Sequence, residues 1–359
     1  TGEAVTEKLV GGFTDADVKF FYEECIKASA EVIRSGKFSL YGENPASLDE
    51  AAQNYHKIFV EGKGISEVIF LRDYVYPGIA HNMGKWHEPN QLAVEYGGRC
   101  CPTLDLVESY AVIDPQTRMG TYDVKLVTTN DGNENYATNG FNPNVDYKQY
   151  DDFATIFANR DPRLYASVIL PNTQWGGQTI LIQGGLRKQD KSVVWQANDS
   201  YVFDGVTYYG KGDSDEGRYS GWVDNRANGT RSGFLLKKYL KGSGDQVWDQ
   251  VVTPFVDLRY AEVLLNRAEA AYELTQLGKT TSEEGDSYRD EAFRCINLIR
   301  ERAGADLLAS AADLNSVDIV RRERRKELAF ENQTYWDLRR WRIFYDEQNT
   351  TRYLSLIHI

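Results

Sequence analysis

The sequence predicts a mainly α fold: a helical-repeat scaffold with a long loop-rich insertion that carries short β-strands. Three observations predict it. Apolar residues at helical spacing open the chain and return near its end. Between them, residues 77–245 hold 20 of the 30 glycines and 4 of the 7 tryptophans. Turn signals there, such as Asn130-Asp131-Gly132, Gly176-Gly177 and Gly184-Gly185, break up every periodic run. Finally, 359 residues at 42% hydrophobic and 26% charged suffice for a core and exclude disorder as the main state.

Taken in order, a first helix is predicted over Thr14 to Arg34, with Val18, Phe21, Tyr22, Cys25, Ala28 and Val32 on one face. Thr14 is its N-cap, Asp15 and Asp17 favour its positive end, and Gly36 follows its last turn. Ser47 and Glu50 form a capping-box pattern ahead of a second helix ending near Gly62. The β-branched and aromatic run Ser66 to Tyr76 reads as a strand. A helix near 103–110 and short strands at 166–170, 179–183 and 201–209 follow. Thr253-Pro254 reads as a cap and first-turn proline for a helix over 255–277, with Leu258, Ala261, Leu265, Ala268 and Tyr272 inward. A helix over 287–303 places Ala292, Cys295, Ile296, Ile299 and Ala303 inward. Another begins after Ser316 and carries Ile319, Val320, Glu327 and Leu328. The last, from Thr334, carries Tyr335, Trp336, Leu338, Trp341 and Tyr345 as core. The 255–277 and 287–303 pair resembles a tetratricopeptide unit with a lengthened turn, so the scaffold is tetratricopeptide-like. Ala261, Leu265, Ala268, Ile296, Ile299 and Trp336 are the expected buried residues of one helical layer.

Composition removes several functions. With 41 basic and 53 acidic residues the net charge is −12, opposite to what a phosphate backbone attracts, so no nucleic-acid partner is expected. No apolar run approaches the ~18 residues of a membrane helix. Cys25, Cys100, Cys101 and Cys295 form no CxxC pair. There is no HExxH, GxSxG, Walker A or GxGxxG pattern, and no metal, cofactor or catalytic residue is assigned. His81 and His87 read as ordinary loop histidines. The acidic loops Asp131–Asn135 and Asp213–Gly217 fall short of a calcium loop and read as solvated turns.

Two clusters remain. Arg321, Arg322, Arg324, Arg325 and Lys326, with Arg339, Arg340 and Arg342, interleave with Glu323, Glu327, Glu331 and Asp337. That spacing predicts ion pairing rather than a phosphate site. The second cluster is aromatic. Phe, Tyr and Trp make up 13% of the chain, and those of the middle region sit among glycines and amides. Sugars offer apolar C–H faces and polar edges, so flat rings beside Asn, Gln, Asp or Arg suit them. Trp86, Tyr96, Trp175, Trp195 and Trp222 are the candidate ligand-binding residues.

Several segments carry a family resemblance: FYEECIKASAEVIRSGKFSLY with SEVIF, CPTLDLVESYAVIDPQTRMG, FANRDPRLYASVILPNTQW, LRYAEVLLNRAEAAY and IVRRERRKELAFENQTYWDLRRW. They resemble the SusD/RagB family of Bacteroidetes nutrient-uptake lipoproteins. The resemblance implies a non-catalytic, cell-surface glycan-binding protein. Its partner would be a SusC-like TonB-dependent outer-membrane transporter, and its anchor an N-terminal lipid not in this chain. It also implies a fragment lacking both ends. Residues 1–71 would be a helical-repeat part, 72–245 the ligand-binding insertion, 246–353 a second helical-repeat part, and 354–359 a doubtful tail. A secreted glycoside hydrolase, a peptide ligand and a pure protein-interaction scaffold stay open as alternatives.

Overall fold

The computed structural model describes residues 14–93, 96–126, 150, 153–190, 192–194, 199–211, 220–221, 229–242, 247–283 and 285–349. Helix α1 (Asp15–Arg34) starts with a reciprocal cap. Thr14 Oγ1 accepts from the Asp17 backbone N–H at 3.3 Å, and Asp17 Oδ2 accepts from the Thr14 N–H at 2.8 Å. The buried stripe of α1 runs through Ile26, Ser29 and Ala30, with Tyr22, Cys25 and Ile33 alongside. Phe21 and Ala28, expected inward, are exposed. A polar contact sets this face: Arg267 Nη1 donates to Ile26 O at 2.7 Å and to Ser29 Oγ at 3.1 Å. Small residues there let the helices approach closely.

Helix α2 (Leu48–Glu61) is capped by Ser47, whose hydroxyl accepts from Glu50 N–H at 3.1 Å. Through Tyr55, Ile58 and Phe59 it joins a core cluster with Ala166, Leu236, Tyr239 and Val256. Short helices follow in the middle region: α3 (Met83–His87), α4 (Leu104–Ser109), α5 (Phe153–Ile156) and α6 (Pro162–Ser167). Ser200–Phe203 and Val206–Tyr209 form a hairpin, where the sequence suggested one continuous strand. Asp204 and Gly205 make the turn, both at positive φ, as a two-residue hairpin turn requires.

The main core lies among α1, α7 (Tyr260–Gln276), α8 (Tyr288–Arg302) and α9 (Val317–Glu327). Ala261, Leu265, Ala268, Ile296 and Ile299 are fully buried in it, as expected. Trp336 is not: it is 60% exposed. It sits on α10 (Thr334–Arg340), which docks instead through polar side chains: Asp337 accepts from Arg324 Nε of α9 at 2.6 Å, and Arg340 Nη2 donates to Glu269 of α7 at 2.6 Å. Adjacent helical residues point about 100° apart, so turning Asp337 inward turns Trp336 out. Tyr335 and, on α11 (Phe344–Asn349), Tyr345 are likewise exposed.

The predicted helix over 255–277 begins late. Phe255–Arg259 is a strand, antiparallel to Val68–Arg72, with Leu71 opposite Val256 and Arg72 opposite Phe255. Val256 is buried and Asp257 exposed, the alternation of a half-buried strand. Arg259 occupies the N-cap of α7 without capping it: a guanidinium only donates and cannot accept from the helix's first N–H groups, and this one donates to Glu67, Glu327 and Glu331 instead.

That commitment is part of a buried ionic core. Asp161, Glu67, Asp306, Glu323, Glu327 and Glu331 meet Arg163, Arg259, Arg300, Arg302, Lys238 and Lys326 in one connected network. Six acids face six bases, so the ionised cluster is neutral. Arg163 bonds Asp161 at 2.6 Å, Glu323 at 2.6 Å and Glu327 at 2.9 Å, and Arg259 reaches Glu67 and Glu327 at 2.6 Å each. Burial alone would raise the Glu323 and Glu327 carboxyls. The guanidinium groups of Arg163 and Arg300 beside Glu323, and of Arg302, Arg259 and Arg163 beside Glu327, hold both below the carboxylate range instead. The acid–base run of α9 is therefore paired, but largely with residues of other elements and out of solvent.

Candidate ligand-binding surface

The segment after residue 80 is tied down by backbone and side chain. His81 and Val251 exchange N–H···O bonds at 3.0 and 3.3 Å. The His81 ring joins Met83 N–H through Nδ1 at 3.1 Å and Thr253 O through Nε2 at 2.8 Å, which suits the neutral tautomer protonated at Nε2. Next to it, Asn82 Nδ2 donates to Asp249 Oδ1 at 2.7 Å and Asn82 Oδ1 accepts from Asp249 N–H at 2.5 Å. This two-way amide clamp brings the end of one loop against the start of α3, and so brings Trp248 against Trp86, with ring centroids 5.3 Å apart.

A third ring arrives from the chain that folds back over α3. Gly98 N–H donates to Glu88 O at 3.0 Å and Arg99 N–H to Trp86 O at 3.1 Å. Gly97 permits this approach: a Cβ there would lie 2.5 Å from the Glu88 carbonyl oxygen. Tyr96, just before it, comes within 5.1 Å of Trp86 and 5.8 Å of Trp248. The rings meet at 40°, 81° and 72°, so they form a cornered aromatic surface rather than one flat plane. Tyr96 is 39% exposed, and Trp86 and Trp248 are half-buried. Above them lies the exposed Arg99, its guanidinium 5.1 Å from the Trp86 centroid and 5.6 Å from that of Tyr96. Burial first, and the Arg99 charge second, push the neighbouring His87 imidazole below its usual range.

Trp86 and Tyr96 are thus together, and the two residues that complete the cluster, Trp248 and Arg99, were not among the sequence candidates. Trp175 lies elsewhere. Its indole N–H donates to buried Glu88 at 2.9 Å, its ring meets His56 edge-on at 5.9 Å, and Lys237 sits 5.3 Å over it. It packs against Ile169, Ile180, Ile182, Leu235 and Leu240, with Gly242 close beneath. Trp195, Trp222 and both acidic loops lie outside the described residues.

The fold and this surface can be set beside known proteins. A SusD-like carbohydrate binding protein from Bacteroides fragilis matches with a TM-score of 0.55 at 22% identity, over 95% of this chain and 54% of that one. A second SusD-like protein from Bacteroides fragilis matches with a TM-score of 0.53 at 23% identity, over 92% and 53%. At such identities the likeness is one of fold, and the chain spans about half the length of these structures. No curated protein matches the sequence. The model of the SusD family matches residues 66–357, most of the chain and every C-terminal segment of the ionic core; the chain belongs to the SusD family.

Proposed function

We propose that this chain binds glycan at the Trp86–Tyr96–Trp248–Arg99 cluster and is not an enzyme. The observation that carries the reading is the cluster itself: three rings meeting at an exposed corner beneath a guanidinium. An aromatic face holds the C–H side of a sugar ring, and a cation at the edge donates to its oxygens. Family membership supports it, and one relative of the same fold is described as a carbohydrate binding protein. Among the described residues, two carboxylates near the rings have structural tasks: Asp249 closes the clamp with Asn82, and Glu88 holds Trp175. The ligand surface then belongs to the 72–245 insertion, extended by Trp248.

The finer reading follows the family. The whole protein sits on the outer face of the outer membrane through a lipid anchor and passes its ligand to a SusC-like TonB-dependent transporter. Among the described residues no helix is long and apolar enough to cross a membrane. Calorimetric titration against a panel of oligo- and polysaccharides, with an assay for released reducing ends, tests the proposal. Binding without turnover, weakened by Trp86→Ala, is expected. Turnover would establish a hydrolase instead, and binding of peptides alone would make the cargo peptide.

A further inference from the structure

We infer that the glycan held at this cluster is acidic, carrying carboxylate or sulfate groups, with Arg99 as the residue that reads the charge. This rests on the reading of the cluster as a glycan site. The polar groups beside the rings are unequal. Both amide atoms of Asn82 are engaged with Asp249, and Asp249 Oδ1 is engaged in return. Arg99 differs: no hydrogen bond or ion pair joins its side chain to any described residue, and its contacts are the faces of Trp86 and Tyr96.

Arg163, Arg259, Arg300, Arg302, Arg324 and Arg340 all meet carboxylates, whereas Arg99 shares its situation with Arg72 over Tyr74 and Arg322 over Tyr122, and differs from those two in lying over two rings at once. A guanidinium only donates, in a fixed planar fork that matches the two oxygens of a carboxylate or sulfate. Within cation–π range of two rings, it is partly confined already, so less side-chain entropy is lost when an anion arrives. A second cation lies beneath: the Lys85 ammonium is buried 5.5 Å from the Trp248 centroid. The chain as a whole carries −12 and would repel a polyanion, so an acidic ligand needs a local positive feature of this kind. A neutral glycan would use the rings and leave the guanidinium charge uncompensated.

The test uses matched ligands that differ only in charge. Polygalacturonate and its methyl ester form one pair; sulfated and unsulfated galactan oligosaccharides form the other, and the two pairs separate carboxylate from sulfate. Titrations of the wild type, Arg99→Gln, Arg99→Lys and Trp86→Ala are compared. The expected result is tighter binding of the acidic member of at least one pair. Arg99→Gln should remove about tenfold of that affinity, and Arg99→Lys should recover part of it. Raising the salt concentration should weaken acidic binding only. If neutral members bind as well as acidic ones and Arg99→Gln changes neither, the charge inference fails while the glycan site stands, provided Trp86→Ala still weakens both. If Trp86→Ala leaves all binding intact, or no glycan binds, the site reading falls and the inference with it. A circular dichroism melt confirms that each variant is folded.

Discussion

Arginine occupies two opposite environments in this molecule. In the core, Arg163, Arg259 and Arg302 are almost fully buried, and each contacts at least two carboxylates. On the surface, Arg99 lies over two aromatic rings. The first arrangement is geometric closure: partners from the segments around Glu67, Asp161, Arg259, Arg302 and Glu327 converge, and the charges cancel. The second leaves a charge in reach of solvent and of ligand. The difference teaches that the sequence segments typical of the family, NRDPR, LRYAE and RRERRKELAFE, serve the fold. On the proposed reading, specificity would be carried by residues outside those segments, Arg99 first.

The largest effects should come from opening the core. Glu327→Gln leaves Arg163, Arg259 and Arg302 short of a buried partner, and should cost about 3–5 kcal/mol of stability in chemical denaturation. Little change would mean that water enters the network and the burial is only apparent. Acid should act similarly. The folded carboxyls of Glu323 and Glu327 lie below their unfolded value of about 4.3, so their contribution is full above that pH and is lost as the pH falls through the depressed values. His56 adds an earlier loss. Burial, and then the Lys237 charge, lower its imidazole to about 4, so the unfolded chain takes up a proton that the fold refuses as the pH falls below 6.5. Stability measured by melts should therefore decline from about pH 6.5 and collapse below about 4, and His56→Gln should flatten the first part.

Local signals were legible in the sequence and distant ones were not. Thr14 with Asp17, and Ser47 with Glu50, announce helix starts because both partners lie within one turn. Phe255–Arg259 looks like the front of a helix because its partner strand, Val68–Arg72, is far upstream. The acid–base run of α9 announced pairing, but Arg163, Arg259 and Arg302 enter from three other elements. At the candidate site, Trp86 and Tyr96 stood out by composition. Trp175 has the same local composition and a different neighbourhood, which only the fold decides. Trp248 escaped notice because the Asn82–Asp249 clamp, not sequence proximity, brings it in.

Trp175 sharpens the comparison between ring types. It fills space between Ile180, Leu235 and Leu240 and donates to Glu88 Oε2. Trp175→Ala should cost about 2–4 kcal/mol of stability, from lost packing and a buried carboxylate deprived of a donor. Affinity for glycan should stay within about twofold if the variant is measured while folded. A selective loss of affinity would place Trp175 in the site and enlarge it.

Trp86→Ala and Trp248→Ala should do the reverse, weakening glycan binding by about tenfold or more, as an aromatic anchor worth ~1–3 kcal/mol would. Their melting temperatures should fall by only a few degrees, since among the described residues neither ring is packed against a buried apolar cluster as Trp175 is. Equal loss of stability in the Trp86, Trp248 and Trp175 variants would erase the distinction and make the corner a packing feature.

The smallest effect tests how the corner is held. The Asn82 side chain bonds Asp249, and those two bonds place Trp248 against Trp86. Asn82→Ala removes both bonds from an exposed site, where each is worth roughly 0.5–1.5 kcal/mol at most. The fold should hardly notice. Affinity should drop about threefold to tenfold, because the ligand must now order a loop that was ordered beforehand. Tryptophan fluorescence should report the change directly, since the Trp86 and Trp248 indoles would separate. An unchanged affinity with a changed fluorescence would mean that Trp86 and Tyr96 bind without Trp248, and the site would shrink to the two rings under Arg99.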